Sequence, residues 1–242
     1  MTTQAITFDF HNTLASCDRW FHLETRTLVS DFLEWYRAAS GERPSSLESE
    51  RAITAYRALR LSIAEHGREQ RAESCVAAVL TSLAISVEPD RIAQGVEVLM
   101  RESLADLSPL PGAIATVQTL ARAGIPLGVV SSAVYHPFLE WSLERFELTA
   151  AFAVVVTSAS CGFYKGHPGI YTAALDALRA EPERSLHVGD SYRWDVLGAN
   201  RAGMRTAWLR SPGDDRPQAT LEPNLILATL EGAGPVLLSQ LS

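Results

Sequence analysis

The 242-residue chain is poor in cysteine and lacks long apolar runs. Cys17, Cys75 and Cys161 are too widely spaced for a metal knuckle or a paired redox motif, which predicts free thiols in a reducing compartment. No window reaches the roughly 18 apolar residues of a membrane span, and the first ten residues lack the pattern of a secretory leader. We therefore expect a cytoplasmic protein with no membrane partner.

Positive charge is also scarce. Lys and Arg total 21 against 28 Asp and Glu, and this formal charge of −7 argues against nucleic acid as a partner. Lys165 is the single lysine among these basic residues. Because the planar guanidinium of arginine cannot replace a compact ammonium in a tight pocket, this lone lysine suggests a site that needs a point charge.

Short apolar, β-branched runs recur along the chain and alternate with helical patterns. We predict a buried strand for each run, at residues 4–9, 125–131, 152–157, 186–189, 205–209 and, as a candidate sixth, Leu225–Leu227. This alternation predicts an α/β fold with a Rossmann-like parallel sheet as its core. The ligand site of such a sheet lies at the carboxyl ends of its strands.

Residues 16–104 interrupt the alternation with apolar residues at helical spacing, as at Leu28, Phe32 and Trp35. We predict an all-helical cap domain at 16–104, inserted into a catalytic core formed by 1–15 and 105–242. Residues 108–112 are rich in proline and predict a turn and a hinge back into the core. The cap should therefore lie over the edge of the sheet where ligands bind.

Polar residues of different character follow the predicted strands. They are Asp9, the pair Ser131 and Ser132, Lys165 and Asp190. Because parallel strands deliver their carboxyl ends to one edge, these groups should converge. Two carboxylates, hydroxyls and an ammonium suit a phosphate group held together with Mg²⁺.

Four segments carry a family resemblance, at residues 9–14, 129–131, 162–168 and 189–195. In this order and on these elements they resemble the four motifs of the haloacid dehalogenase superfamily. The resemblance covers the whole core, and the helical insertion lies where that family carries its C1-type cap. It implies a hydrolase of the phosphatase type that acts on a small phosphorylated metabolite.

The resemblance also implies roles for individual residues. Asp9 would be the nucleophile that forms an aspartyl-phosphate, and it would bind Mg²⁺ together with Asp190 and the backbone carbonyl of His11. Asp195 would support the metal site by orienting the groups around the direct ligands.

The same resemblance implies the groups that hold the phosphate. Ser131 would donate a hydrogen bond to the phosphoryl oxygens, and Lys165 would neutralise their charge. Asn12 and Thr13, within the first matched segment, and Ser132, next to the second, are further candidates for phosphate binding.

The helical insertion supplies candidates for contact with the rest of the substrate. Arg19 and Trp20 follow the nucleophile loop closely. An arginine there could clamp an acidic group, and an aromatic ring could cover the substrate.

His11 departs from the family pattern, since phosphatases of this family usually carry a second aspartate two residues after the nucleophile. Histidine can transfer protons near neutral pH, so we expect it to replace that aspartate as acid and base. The departure leaves three alternatives open: a 2-haloacid dehalogenase-type hydrolase that needs no metal, a phosphotransferase, or an impaired binding protein of the same fold.

Overall fold

The predicted strands, including the candidate sixth, are present in a computed structural model that describes residues 4–39, 41–211 and 221–241. The strands are β1 (Ile6–Phe8), β2 (Ala15–Ser16), β3 (Ser108–Pro109), β4 (Leu127–Ser131), β5 (Val154–Thr157), β6 (Leu186–Gly189), β7 (Arg205–Leu209) and β8 (Leu225–Leu227). Six of them form one parallel sheet in the order β5-β4-β1-β6-β7-β8. This order confirms the predicted α/β class.

The sheet places β1 at its centre. Phe8 pairs with Val129 of β4 on one side and with Val188 of β6 on the other. All three strands are buried along their whole length, as expected for a parallel sheet covered by helices on both faces. The residues that follow these strands therefore start from fixed, adjacent positions.

Helices occupy most of the remaining chain. The α-helices are α1 (Asp18–His22), α2 (Leu28–Ala38), α3 (Ser46–His66), α4 (Ala72–Ser82), α5 (Pro89–Glu102), α6 (Ala113–Arg122), α7 (His136–Arg145), α8 (Ser158–Cys161), α9 (Gly169–Leu178), α10 (Leu197–Arg201) and α11 (Ala233–Ser239). Wider π-helical turns lie at Leu23–Thr27 and Tyr192–Val196, and 3₁₀ turns lie at Ser103–Asp106, Thr149–Ala151 and Pro182–Arg184. No helix in the described ranges is both long and apolar enough to cross a membrane.

The chain enters and leaves the helical segment through a two-stranded ladder. Strands β2 and β3 pair antiparallel, with Ala15 opposite Pro109 and Ser16 opposite Ser108. The predicted turn at 108–112 is therefore wrong for its first two residues and correct for 111–112. Two-residue strands are too short to show an alternating pattern, and proline disfavours a strand assignment. The proposed domain boundaries at 15/16 and 104/105 stay a prediction.

An aromatic cluster attaches the first helix of this segment to the sheet. The Trp20 ring stacks on Phe138 of α7 with centroids 4.9 Å apart, and Phe10 meets both rings edge-on at 6.4 Å. All three side chains are buried. Because aromatic pairs favour these stacked and edge-on geometries, the cluster fixes how α1 lies beside the loop after β1.

Removal of the Phe138 ring should therefore cost substantial stability. We expect Phe138→Ala to lower the free energy of unfolding by about 3–5 kcal/mol, because it removes a buried ring and leaves a cavity. Leu61→Ala, at an exposed position of α3, is the control and should stay within about 0.5 kcal/mol of the parent. Urea titration measures both values, and equal costs for the two variants would contradict the role given to the cluster.

Candidate active site

The carboxyl edge of the sheet brings together the residues that follow its central strands. Asp9 comes directly after β1, Ser131 ends β4, and Asp190 directly follows β6. The Asp9 backbone N–H donates to the carbonyl of Val188, so the loop after β1 continues the strand pairing. This register places the carboxylates of Asp9 and Asp190 at one edge.

Lys165 lies between two of the carboxylates. Its ammonium donates to Oδ1 of Asp9 and, at 2.5 Å, to Oδ1 of Asp195. All three side chains are buried. Burial opposes a charge on Lys165, but the carboxylates of Asp195 and Asp9 outweigh that effect and raise its pKa. The lone lysine of the chain is thus a buried, positively charged group in contact with two aspartates.

Asp195 is held on every side. Its Oδ1 also lies 3.1 Å from Nε2 of His187, and its Oδ2 accepts from the Ser191 backbone N–H at 2.9 Å. Burial opposes ionisation, yet Lys165 and His187 lower the pKa of Asp195 to about 2. An ionised Asp195 with both oxygens engaged is suited to orienting Lys165.

Gly189 allows this arrangement by its lack of a side chain. A Cβ at position 189 would lie 2.2 Å from Cγ of Asp195. The π-helical turn that carries Asp195 therefore packs directly on the end of β6, at a distance that requires glycine. This contact holds Asp195 beside the end of β6, while the pairing of β1 with β6 places Asp190 near Asp9.

The ionised form of Asp190 is disfavoured where this side chain lies, because the charge of Lys165 compensates it only in part. Burial, followed by the nearby charges of Asp9 and Asp195, raises the pKa of Asp190 to about 8. One potential ligand atom from each of the three aspartates lies within 4.8 Å of the others. A divalent cation would relieve the repulsion between these carboxylates, and Mg²⁺ prefers oxygen ligands of this kind. The residues therefore fit the predicted metal.

His11 belongs to the loop after β1, and its ring faces α1. Its ring stacks on Phe21 with centroids 4.5 Å apart, and its Nε2 lies 3.5 Å from Oδ1 of Asp18. Burial lowers the pKa of His11, while the charges of Asp9 and Asp18 oppose the shift. The neutral imidazole is therefore favoured beside a carboxylate that can stabilise its protonated form.

These groups line one pocket of about 280 Å³. Its lining residues are Asp9, His11, Asn12, Trp20, Phe21, Glu24, Thr25, Ser131, Ser132, Tyr164, Lys165, Asp190, Ser191, Trp194 and Asp195. Among the described residues, Arg19 and Thr13 do not belong to this lining. The Arg19 guanidinium pairs with Glu102 at 2.9 Å, and Thr13 is fully buried. The structure thus brings the other predicted site residues together, and their individual roles stay predictions.

Some residues near the site were not predicted from the sequence. Glu24 and Thr25 line the pocket from the turn after α1, and Ser191 lines it beside Asp190. His187, buried in β6, lies within hydrogen-bond distance of both Asp195 and Thr7. Its position in an apolar strand was the available signal, because a buried polar group requires a partner.

Comparisons with known proteins identify a family and a fold. A family model described as haloacid dehalogenase-like hydrolase matches residues 3–203. Glyceraldehyde 3-phosphate phosphatase of Pyrococcus furiosus is 32% identical over 133 residues, so the match spans 54% of this chain and 55% of that protein. The protein of the same name from Methanothermobacter thermautotrophicus is 33% identical over 70% of this chain and 74% of its own length.

Solved structures give the same architecture. The 2-haloacid dehalogenase of Pseudomonas syringae pv. Tomato superposes with a TM-score of 0.72 over 100% of both chains, at 20% sequence identity. At that identity the likeness shows the fold alone.

The raised pKa of Asp190 leads to a prediction about stability. Its raised pKa means that folding disfavours its ionised form, so the parent loses stability as the pH rises from 3.8 to about 8. Asp190→Asn should therefore raise the melting temperature at pH 7 without metal, and the gain should shrink towards pH 3.8. Mg²⁺ should raise the melting temperature of the parent more than that of the variant, since it binds only the folded state.

Thermal unfolding with and without Mg²⁺ measures both effects. Asp176→Asn, an exposed position on α9, is the matched control and should change neither. The predicted repulsion at Asp190 would be contradicted if Mg²⁺ left the melting temperature of the parent unchanged and Asp190→Asn did not raise it.

Proposed function

The chain belongs to the haloacid dehalogenase-like hydrolase family, and on that premise we propose that it cleaves a small-molecule phosphate monoester with the help of Mg²⁺. The observation that carries this proposal is the contact of Lys165 with Asp9, beside the repelling carboxylate of Asp190. An anionic substrate can enter such a site only where a cation offsets these charges. The relatives named as phosphatases support a phosphate ester as that substrate.

Asp9, Asp190 and the backbone carbonyl of His11 would hold Mg²⁺. When bound, Mg²⁺ offsets the charge of the carboxylates and withdraws electron density from the phosphoryl oxygens. Asp195 supports this site indirectly, because both of its oxygens already accept hydrogen bonds within the chain. Asp195 instead fixes the ammonium of Lys165 against Asp9.

A carboxylate oxygen of Asp9 attacks phosphorus, and the bond from phosphorus to the leaving oxygen breaks. Lys165 and the hydroxyls of Ser131 and Ser132 hold the phosphoryl oxygens. The protonated form of His11, which the carboxylate of Asp18 stabilises, donates a proton to the leaving oxygen. The leaving group departs as an alcohol, and His11 becomes the neutral base. His11 then accepts a proton from water, the water oxygen attacks phosphorus, and inorganic phosphate leaves Asp9.

A 2-haloacid dehalogenase is the second candidate, because a protein of that name shares the fold over the full chain. Its substrate would bring a carboxylate into a pocket where Asp9 and Asp190 already repel each other. No arginine is found among the described residues that line this pocket to receive that carboxylate. The charges therefore favour the phosphatase.

The direct test is a panel of phosphate monoesters together with 2-chloropropionate, assayed with Mg²⁺ and with excess chelator. We expect release of phosphate that chelation abolishes and Mg²⁺ restores. Asp9→Asn should lose nearly all activity and keep its circular dichroism spectrum, since the amide keeps the shape but is a poor nucleophile. Chloride release from 2-chloropropionate in excess chelator would establish the dehalogenase instead.

His11 generates a separate prediction. We expect His11→Ala to slow hydrolysis of the aspartyl-phosphate by about 10²- to 10⁴-fold, the usual contribution of a positioned acid or base. Because burial lowers the pKa of His11, the neutral base is the main form at pH 7 and is lost only as the pH falls through that pKa. The rate of this step in the parent should therefore fall towards low pH, and the variant should lose that dependence.

Single-turnover experiments separate phosphorylation of Asp9 from hydrolysis of the intermediate. His11→Asp, which restores the family residue, is the control and should recover much of the lost rate. Unchanged rates and pH profiles for both steps in His11→Ala would make the histidine a spectator. A long-lived intermediate in the parent would instead point to a phosphotransferase.

A further inference from the structure

One wall of the pocket carries two buried polar side chains that the proposed chemistry does not use. Trp20 and Glu24 lie one helical turn apart on α1 and the turn that follows it, and both line the pocket. Trp20 is 2% exposed and Glu24 is 3% exposed. Side chains at this spacing lie on the same helical face.

Both side chains have a polar atom without a partner. Within residues 4–39, 41–211 and 221–241, neither Nε1 of Trp20 nor Oε2 of Glu24 has a hydrogen-bond partner. A buried donor or acceptor left unsatisfied costs about 1–3 kcal/mol, and native structures rarely retain one without a reason. A ligand in the adjoining pocket would supply that reason.

The other oxygen of Glu24 faces a buried ion pair. Its Oε1 lies 3.5 Å from Nη2 of Arg60, whose guanidinium binds Glu69 more closely, at 2.6 Å and 3.1 Å. Ser158 donates to the same Glu69 at 2.8 Å. Arg60 is thus committed mainly to Glu69 and compensates Glu24 only in part.

The protonation of Glu24 follows from this environment. Burial raises the pKa of Glu24 to about 8, while the charge of Arg60 and the backbone N–H of Val134 oppose the shift. Near pH 7 the side chain is therefore largely an uncharged carboxylic acid, which can both donate and accept a hydrogen bond.

The charges around the pocket restrict what can bind there. The lining contains the carboxyl groups of Asp9, Glu24, Asp190 and Asp195 but a single lysine, Lys165. A second anionic group on the substrate would meet repulsion from the aspartates of this lining, and the neutral acid of Glu24 would offer it no positive charge. A cationic group beside Glu24 would meet the buried guanidinium of Arg60. An uncharged polar group avoids both costs.

We propose that Glu24 and the indole N–H of Trp20 form a subsite for a hydroxyl or carbonyl group in the organic part of the substrate. The inference rests on the proposed phosphatase function. It narrows the substrates to monophosphates of small polyols or sugars whose organic part carries no charge. The pocket of about 280 Å³ has to hold the phosphate group as well, which leaves room for a short organic part.

The test compares three substrates of equal carbon number: glycerol 3-phosphate, propyl phosphate and 3-phosphoglycerate. We expect the parent to prefer glycerol 3-phosphate in kcat/KM over both of the others. Glu24→Leu should reduce the ratio of glycerol 3-phosphate to propyl phosphate by roughly 10- to 100-fold, as expected for loss of one buried hydrogen bond. Glu24→Gln, which retains a donor and an acceptor, should keep most of the preference.

Two further variants complete the design. Glu34→Leu makes the same substitution at an exposed position of α2 and should leave the ratio unchanged. Trp20→Phe keeps an aromatic ring, although a smaller one, and removes the indole N–H. It should lower the ratio by itself, so it tests the subsite even if Glu24→Leu does not fold. Propyl phosphate serves as the internal control, because a purely structural role of Glu24 would lower activity on it equally.

Failure of the subsite is distinguishable from failure of the phosphatase proposal. An unchanged ratio in Glu24→Leu and Trp20→Phe, or a parent that accepts 3-phosphoglycerate as readily as glycerol 3-phosphate, overturns the subsite alone. If the parent hydrolyses no ester, the subsite is tested by calorimetry, which measures the binding of glycerol 3-phosphate and propyl phosphate to Asp9→Asn with Mg²⁺. Tighter binding of glycerol 3-phosphate than of propyl phosphate that disappears on adding Glu24→Leu supports the subsite, and equal binding overturns it.

Discussion

The contact of one buried ammonium with two aspartates is the constraint on which the site depends. Lys165 bridges Asp9 and Asp195, which come from distant parts of the chain. Without that charge, three carboxyl groups would lie together in a buried space at prohibitive electrostatic cost. The supporting bonds from His187 and Ser191 act on Asp195 and so determine where the ammonium lies.

The same constraint divides the pocket into two kinds of environment. Around Lys165 the carboxyl groups are closely spaced, and a further positive charge would reduce their repulsion. Around Glu24 the partial pairing with Arg60 leaves a nearly neutral wall. A phosphate ester with an uncharged organic part has this same division of charge, which is the physical basis for the proposed substrate class.

Much of this arrangement could be predicted from the sequence, because topology determines where strands end. Asp9, Ser131 and Asp190 follow β1, β4 and β6, and parallel pairing alone brings such positions together. The contacts of the helical segment could not be predicted in the same way. Trp20 and Arg19 are neighbours in sequence, yet only Trp20 lines the pocket, because stacking on Phe138 sets the rotation of α1. A sequence pattern gives the period of a helix but not this rotation.

The ladder between β2 and β3 has a consequence for how such a chain can diversify. It ties Ser16 to Ser108, so the helical segment leaves the sheet and rejoins it at neighbouring points. Since the entropic cost of closing a loop grows slowly with its length, this segment can be lengthened, shortened or exchanged with little strain on β1. The proposed reacting groups and the proposed subsite of Trp20 and Glu24 therefore lie in different stretches of chain, so substitutions in one stretch need not alter the other.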